Sequence, residues 1–456
     1  MVEIPEQVLD VKKLLATGED CYLVGGAVRD IVLGRKIPDY DFACNFDPRI
    51  LARRLADHLG GAFYVMDEKR RTCRVISAKN SNPDTFYDFA QMQGTLLADQ
   101  RARDFTINSM AIDLRDQEQV IDPLKGGRDL QEKWLRPCTE LSFESDPVRV
   151  LRAVRYAVDL KLKIEPNTRA LLSNALHALD LVSIERKRDE FFKILDNPSA
   201  SVAVRLMEEF GILPMLGILG SKDNLDQLRM YELLVNTLLQ AGGKPKRDFF
   251  IAATFYSATT AFIPKLSPIL LSRNSSNHSH FQLGKFAAIH WNTPISPVNE
   301  YSLMNSFSNE EVKLLQTCAD YSDAILELLN QDACIDNRTA YRFFYRVGEA
   351  SIDLILLGLA RLARVPAAEL DQQEWLSALS NASKLLDLWF YHPEISKPQP
   401  LINGTEIMQN FNLQAGPLIG QLLEELKEEQ SAGEVKEHKS ALSWVKNRLS
   451  QIQALQ

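Results

Sequence analysis

The chain has 456 residues, of which 45% are hydrophobic and 25% charged, and it carries a net charge of −8. This length exceeds one ordinary core and predicts roughly two to four domains. The balance is that of a soluble globular protein, and no apolar run is long enough to cross a bilayer, which excludes a membrane-spanning helical class.

In chain order, short β-rich runs come first: Cys21–Val24, Tyr40–Ala43, Ala62–Met66, Arg74–Ser77, Thr85–Phe89 and Ile107–Leu114. They are rich in β-branched and aromatic residues and bounded by turn formers. Leu51–Leu59 has the spacing of an amphipathic helix. After Ser145 strand signals mostly vanish. Helices are expected over Asp146–Val158, Glu185–Leu195, Ser201–Phe210, Leu225–Leu239, Glu310–Thr317, Ile352–Leu362, Leu418–Glu428 and Ser440–Leu449. Breaks are expected at Gly242–Lys246, Asn274–His280, Asn292–Asn299 and Ser396–Gln399. The pattern predicts an α+β head followed by an all-α remainder.

Met1–Asp10 lacks a basic start followed by an apolar stretch, so no secretory signal is expected. The six cysteines form no C-x-x-C pair and are expected to be isolated buried thiols of a reducing compartment. His278 and His280 fall in or beside the polar stretch Ser272–Ser279, expected to be a surface loop. A net negative charge counts against nucleic-acid binding. Lys and Arg nevertheless crowd Lys133–Lys193, while acids crowd the C-terminal region, so a local basic groove is expected.

The richest stretch is Leu23-Val24-Gly25-Gly26-Ala27-Val28-Arg29-Asp30, continuing to Pro38-Asp39-Tyr40-Asp41-Phe42. A strand meets two glycines and a helix begins. Such a turn lets backbone N–H groups approach a phosphate, and Arg29 comes one turn into that helix. Asp39 and Asp41 flank one residue, so strand alternation puts both carboxylates on one face. Two adjacent carboxylates call for a cation, and hard oxygens of this kind suit Mg²⁺ bound together with substrate phosphates. The plain alternative is a hairpin turn with two solvated aspartates.

Together these residues resemble the signature of the polymerase-β-like nucleotidyltransferases, and specifically of the class II tRNA nucleotidyltransferase and bacterial poly(A) polymerase family. That resemblance implies a third carboxylate on a neighbouring strand, matched by Asp88 in Phe86-Tyr87-Asp88-Phe89. Arg103-Asp104-Phe105-Thr106-Ile107-Asn108 resembles the motif that holds the nucleotide sugar, although Ala102 stands where the family has a further arginine. Asp122–Arg136 resembles the hinge-region motif.

Asp146-Pro147-Val148-Arg149-Val150-Leu151-Arg152-Ala153-Val154-Arg155-Tyr156 follows, with Asp146 placed as a helix N-cap. Its three-residue spacing puts Asp146, Arg149 and Arg152 on one helix face, with Arg155 extending the row. An Asp acceptor beside an Arg donor matches the amino and ring-nitrogen edge of cytosine or adenine, and leaves uracil or guanine unpaired. The run resembles the family's protein-side base template, with Ser145 where the family carries Glu. Ser183–Phe191, with Glu185, Arg186 and Glu190, resembles a supporting motif, and Leu401–Val445 resembles the family tail.

The resemblance implies a nucleotidyltransferase head at 1–140, a helical neck with the base template at 141–210, a helical body at 211–395 and a tRNA-binding tail at 396–456. It implies template-independent addition of nucleotides to the tRNA acceptor end, using Mg²⁺ and CTP or ATP, in the cytoplasm, with no membrane and no obligate protein partner. Asp39, Asp41 and Asp88 would be catalytic. Gly25, Gly26 and Arg29 would hold the triphosphate, Arg103, Asp104 and Asn108 the ribose, and Asp146 and Arg149 would choose the base, with Arg152 and Arg155 also nucleotide-binding. The short segment Phe89–Ala102 resembles that of CC-adding members. Complete CCA addition, A addition and poly(A) synthesis are the alternatives within the family, and an inactive RNA-binding relative is the alternative of another class.

Overall fold

A computed structural model describes residues 3–77, 85–116, 119–240, 248–292, 303–332, 334–365 and 369–454. They form two compact units, 1–190 and 191–456. The expected break at Gly242–Lys246 lies outside the described residues, as does all but the first residue of Asn292–Asn299.

The first unit is built on seven strands: β1 (Cys21–Val24), β2 (Asp39–Cys44), β3 (Ala62–Asp67), β4 (Thr72–Ile76), β5 (Phe86–Gln91), β6 (Ala111–Asp113) and β7 (Val120–Ile121). Their order across the sheet is β3-β4-β5-β2-β1-β6-β7. The sheet is mixed: β2 runs parallel to β5 and antiparallel to β1. Alternation along β2 decides which residues face the core. Tyr40 and Phe42 are buried and stack on Tyr87 and Phe89 of β5, with ring centroids 5.6 and 4.9 Å apart. Asp39 and Asp41 therefore face the other way.

Among the described residues the α-helices of this unit are α1 (Glu6–Lys13), α2 (Gly26–Val32), α3 (Pro48–Leu59), α4 (Leu96–Ala102), α5 (Gly126–Glu132), α6 (Ser142–Ser145), α7 (Arg149–Asp159), α8 (Pro166–Asn174) and α9 (Ile184–Asp196), the last of which continues into the second unit. Helix α3 starts on Asp47, whose carboxylate accepts from the Arg49 N–H, and ends on Gly60 in the left-handed region. It buries Leu51, Leu55 and Leu59 at four-residue spacing against β3, β4 and β5.

Ile107–Leu114 is not one strand. Its first part is a 3-10 turn, Thr106–Asn108, and only Ala111–Asp113 pairs in the sheet. The Asp104 carboxylate accepts from the Phe105 N–H and the Asn108 side-chain amide, and Ser109 Oγ donates to the Thr106 carbonyl. Those local bonds give the backbone an alternative to the ladder. The Asp122–Arg136 motif buttresses this turn. Asp122 accepts from the N–H groups of Gly126 and Gly127, and Asp129 accepts from Thr106 Oγ while pairing with Arg136. Gly126 lies so close that a Cβ there would collide with the Thr106 carbonyl oxygen.

The second unit is helical. Lys222–Leu238 packs against His280–Ile289 and Ser351–Leu362, and the last of these is buried along almost its whole length. Lys285 and Glu232 are buried here as a pair 3.8 Å apart. The Lys285 ammonium also donates to the carbonyls of Leu195 and Asn197, at 2.7 and 2.6 Å, and Glu232 accepts from Ser201. Gly404–Phe411, Pro417–Ser431 and His438–Ala454 close the chain around Ile407, Leu422, Leu426 and Val445.

Two further expectations are corrected. His278 does not lie in a surface loop: it is buried, stacked on Phe192 at 3.6 Å and bonded to the buried Glu311 at 2.6 Å. Glu311 also accepts from Asn274 and Ser276, so part of the polar stretch turns inward, while Ser272, Arg273, Ser275 and Asn277 stay exposed as expected of a loop. Of the six free cysteines, Cys21, Cys44, Cys73 and Cys318 are buried, but Cys21 and Cys44 are not isolated, their Sγ atoms lying 3.5 Å apart across β1 and β2, Cys138 is half-buried and Cys334 is exposed.

Candidate active site

The carboxylates occupy neighbouring strands. Asp41 on β2 stands in register beside Asp88 on β5, which in turn faces Arg74 on β4. Arg74 donates to both Asp88 oxygens at 2.6 Å, so the sheet neutralises this third acid itself. Asp39 and Asp41 have no such fork. Burial pushes the Asp41 carboxyl up to about 6, with Arg103 opposing and the negative Asp88 and Asp39 adding to it. Asp39 is raised as well, by burial first, with Arg74 opposing and Asp88 adding.

Gly25 closes the turn above Asp41. Its φ is +75°, and a Cβ there would sit 3.0 Å from Arg103 Nη1 and 3.3 Å from Asp41 Oδ2. Backbone freedom and close approach both require glycine. From α2, Arg29 grips both oxygens of Asp30, at 3.0 and 2.8 Å, and donates to Asn108 Oδ1 at 2.6 Å. Arg103 is held by Asp99 at 3.0 Å. Buried Asp104 accepts from Asn108 and lies 2.8 Å from Arg152 Nη2.

Helix α7 supplies the remaining wall. Arg149 donates to Ser142 Oγ and to the Ala102 carbonyl, both at 2.7 Å. Arg155 donates to Glu190 of α9 at 2.5 Å. Asp146 is not the N-cap expected of it: the residue before α7 is Val148, with no side-chain cap. The chain enters through a tight turn in which the Arg149 N–H donates to the Asp146 carbonyl. The Asp146 carboxylate instead accepts from Arg186 at 3.0 Å on both oxygens.

One cleft of about 380 Å³ is lined by Gly25, Gly26, Arg29, Asp39, Asp41, Arg103, Asp104, Asn108, Arg149, Arg152 and Arg155. Residues more than a hundred positions apart in sequence thus meet at one place. Asp88 and Asp146 do not line it. Ala27, Asp30, Pro38 and Tyr156 do, and sequence reasoning gave none of them a role. Tyr156 was findable, since it lies four residues after Arg152 and so shares its helix face. Arg74 was not, because only the β4–β5 register brings it to Asp88.

The lining holds five arginines against four aspartates, the character of an anion site with an acidic corner. Among the described residues, no group of three or more His, Cys, Asp or Glu is placed to enclose a metal. Two carboxylates whose ionisation is disfavoured still fit a divalent cation that takes its other oxygens from phosphates.

The raised carboxyls set a pH dependence. A carboxyl with a raised folded pKa contributes stability that is full below its ordinary value and lost as pH rises through about 6. Cation and proton compete for the same oxygens, so affinity for a divalent cation should rise with pH and level off above about 6. Mn²⁺ binding followed by electron paramagnetic resonance should be about tenfold weaker at one unit below that value. A flat profile from pH 5 to 7.5 would contradict the assignment.

A glycine turn, an acidic strand and an arginine-lined pocket beside a mixed sheet define a nucleotidyltransferase. Residues 21–136 match the family model described as "Poly A polymerase head domain", residues 161–216 "Probable RNA and SrmB- binding site of polymerase A", and residues 285–445 tRNA nucleotidyltransferase domain 2. The A-adding tRNA nucleotidyltransferase of Deinococcus radiodurans is 29% identical over 93% of this chain and 94% of its own length. The CC-adding tRNA nucleotidyltransferase of Synechocystis is 27% identical over 92% of each chain. A CCA-adding enzyme solved with ATP shares the fold, with a TM-score of 0.68 at 21% identity over 98% of this chain and 96% of its own. The chain belongs to the class II tRNA nucleotidyltransferase and poly(A) polymerase family.

Proposed function

We propose that this enzyme adds nucleotides to the 3′ end of tRNA without a nucleic-acid template, and that it adds C residues from CTP. The observation that carries the reading is the convergence of Asp39 and Asp41, the Gly25-Gly26 turn and the arginine face of α7 on one cleft. The terminal 3′-OH of the tRNA attacks the α-phosphate of CTP in line, a new phosphodiester forms, and pyrophosphate leaves. Mg²⁺ held by Asp39 and Asp41 would supply charge neutralisation at the reacting phosphate. Gly25, Gly26 and Arg29 hold the triphosphate. Arg103, Asp104 and Asn108 hold the ribose, while Asp146 and Arg149, with Arg152 and Arg155, select the base. Asp88 completes the acidic strand pair as a third carboxylate.

The division into head (1–140), neck (141–210), body (211–395) and tail (396–456) belongs to the same proposal, with body and tail gripping the tRNA acceptor end by shape and phosphate contacts. The reaction is placed in the cytoplasm. Among the described residues no helix is long and apolar enough to cross a membrane.

The preference for C addition draws support from the connection after β5. That strand ends at Gln91, and α4 begins at Leu96, capped by the Thr95 side chain. So short a tether limits how far the pocket can rearrange for a second base.

The test offers tRNA ending before CCA, at C, and at CC, with each labelled nucleotide and Mg²⁺. Extension that stops at CC is expected. Addition of a final A would make this a complete CCA-adding enzyme, addition of A to CC-ending tRNA alone an A-adding one, and absence of incorporation a binding protein.

A further inference from the structure

We propose that Tyr156 is a positioning residue that couples the triphosphate end of the cleft to its base-selecting end. This rests on the nucleotide-binding reading above. Three guanidinium groups sit over one ring: Arg155 at 4.3 Å, Arg29 at 5.5 Å and Arg152 at 5.7 Å from the Tyr156 centroid. All lie within the range in which a cation is drawn to an aromatic face. The ring is itself pinned, because Phe105 meets it edge-on at 5.7 Å and 79°, and its hydroxyl accepts from Arg152 at 3.1 Å.

Each arginine also has its own carboxylate: Asp30 for Arg29, Asp104 for Arg152 and Glu190 for Arg155. Their mutual repulsion is thereby offset, and the ring fixes where they stand. A second path joins the same groups. Arg29 donates to Asn108, Asn108 donates to Asp104, and Asp104 pairs with Arg152. Arg29, Asn108, Asp104, Arg152 and Tyr156 form a closed circuit that links α2, the 3-10 turn and α7.

Arg29 stands beside the Gly25-Gly26 turn, where phosphates would bind. An anion that draws Arg29 toward itself alters one of three cations sharing a ring, and the other two must readjust. Base discrimination therefore depends on the phosphates. The enzyme should prefer CTP to UTP by a larger factor than it prefers CMP to UMP.

The experiment measures equilibrium binding of CTP, UTP, CMP and UMP to the full chain with Mg²⁺, for the unaltered protein, Tyr156→Phe and Tyr156→Leu. We expect the unaltered protein's CTP/UTP ratio to exceed its CMP/UMP ratio by about tenfold, the scale of one cation–ring contact. Tyr156→Phe keeps the ring and should keep most of that excess. Tyr156→Leu should bring the two ratios together while CTP still binds. Equal ratios in the unaltered protein overturn the coupling without any variant. So does an undiminished excess in Tyr156→Leu, and Tyr156→Phe decides the matter should the leucine variant fail to fold, because loss of the excess with the ring intact also contradicts the proposal. Failure of the unaltered protein to bind any of the four nucleotides would instead sink the nucleotide-binding reading itself.

Discussion

Replacement of Asp41 by asparagine is expected to reduce nucleotide incorporation by about 1,000-fold or more, because it removes a carboxylate that would hold the Mg²⁺ at the reacting phosphate. The same change should leave the melting temperature equal or higher. Asp41 pairs in register with Val24 and Asp88, and its carboxyl lies against the Gly25 turn, so asparagine keeps the volume. What it removes is a carboxylate whose ionised form is disfavoured by burial and by neighbouring Asp88 and Asp39, and whose pKa is near 6. A stability gain with an activity loss is the signature of a functional charge. Asp39→Asn should behave alike. Asp88→Asn should differ: it breaks the fork with Arg74 and leaves that guanidinium without its partner, so stability should fall. Single-turnover incorporation and thermal melts on the three variants give the answer. Activity of Asp41→Asn within tenfold of the unaltered enzyme would refute the cation assignment.

The acidic strand was readable because its alternation is stark. Tyr40 and Phe42 needed a core, so Asp39 and Asp41 had to face away from it. The glycine turn was readable for a related reason: a positive φ at Gly25 and its closeness to Asp41 leave no room for a side chain. The arginine face of α7 followed from helical spacing, and Arg149, Arg152 and Arg155 do meet in one cleft. What sequence could not give was the partner of each charge. Asp88 meets an arginine fourteen positions earlier through strand register, and Asp146 meets Arg186 from a helix forty positions on. Local composition carries no record of such pairings. His278 makes the same point, since Glu311 and Phe192 bury a side chain that its own neighbours would leave in water. The first half of the strand expected at Ile107–Leu114 shows the converse. There the decisive bonds were local, from Asp104 and Ser109, and competed with β propensity rather than supporting it.

Asp146→Asn is expected to lower the preference for CTP over UTP by about 100-fold, while kcat for CTP falls much less. A carboxylate only accepts hydrogen bonds, whereas an amide can accept or donate by turning over. Cytosine presents an amino donor where uracil presents a carbonyl, so the carboxylate rejects uracil by leaving two acceptors facing each other. Sites built on such polar matching discriminate far more strongly than sites built on shape, and they lose most of that discrimination when the match is relaxed. In the structure Asp146 stands outside the cleft lining, three residues before Arg149, and both its oxygens are 3.0 Å from Arg186 Nη2, which fixes the carboxylate before any base arrives. Arg149 is fixed likewise by Ser142 and the Ala102 carbonyl. Arg186→Ala should therefore lower selectivity in the same direction and by less, since the acceptor remains but is no longer held. The comparison is kcat/KM for CTP and UTP on one tRNA lacking its CCA end. Unchanged selectivity in Asp146→Asn would remove Asp146 from base recognition and leave its ion pair with Arg186 as a brace between α7 and α9.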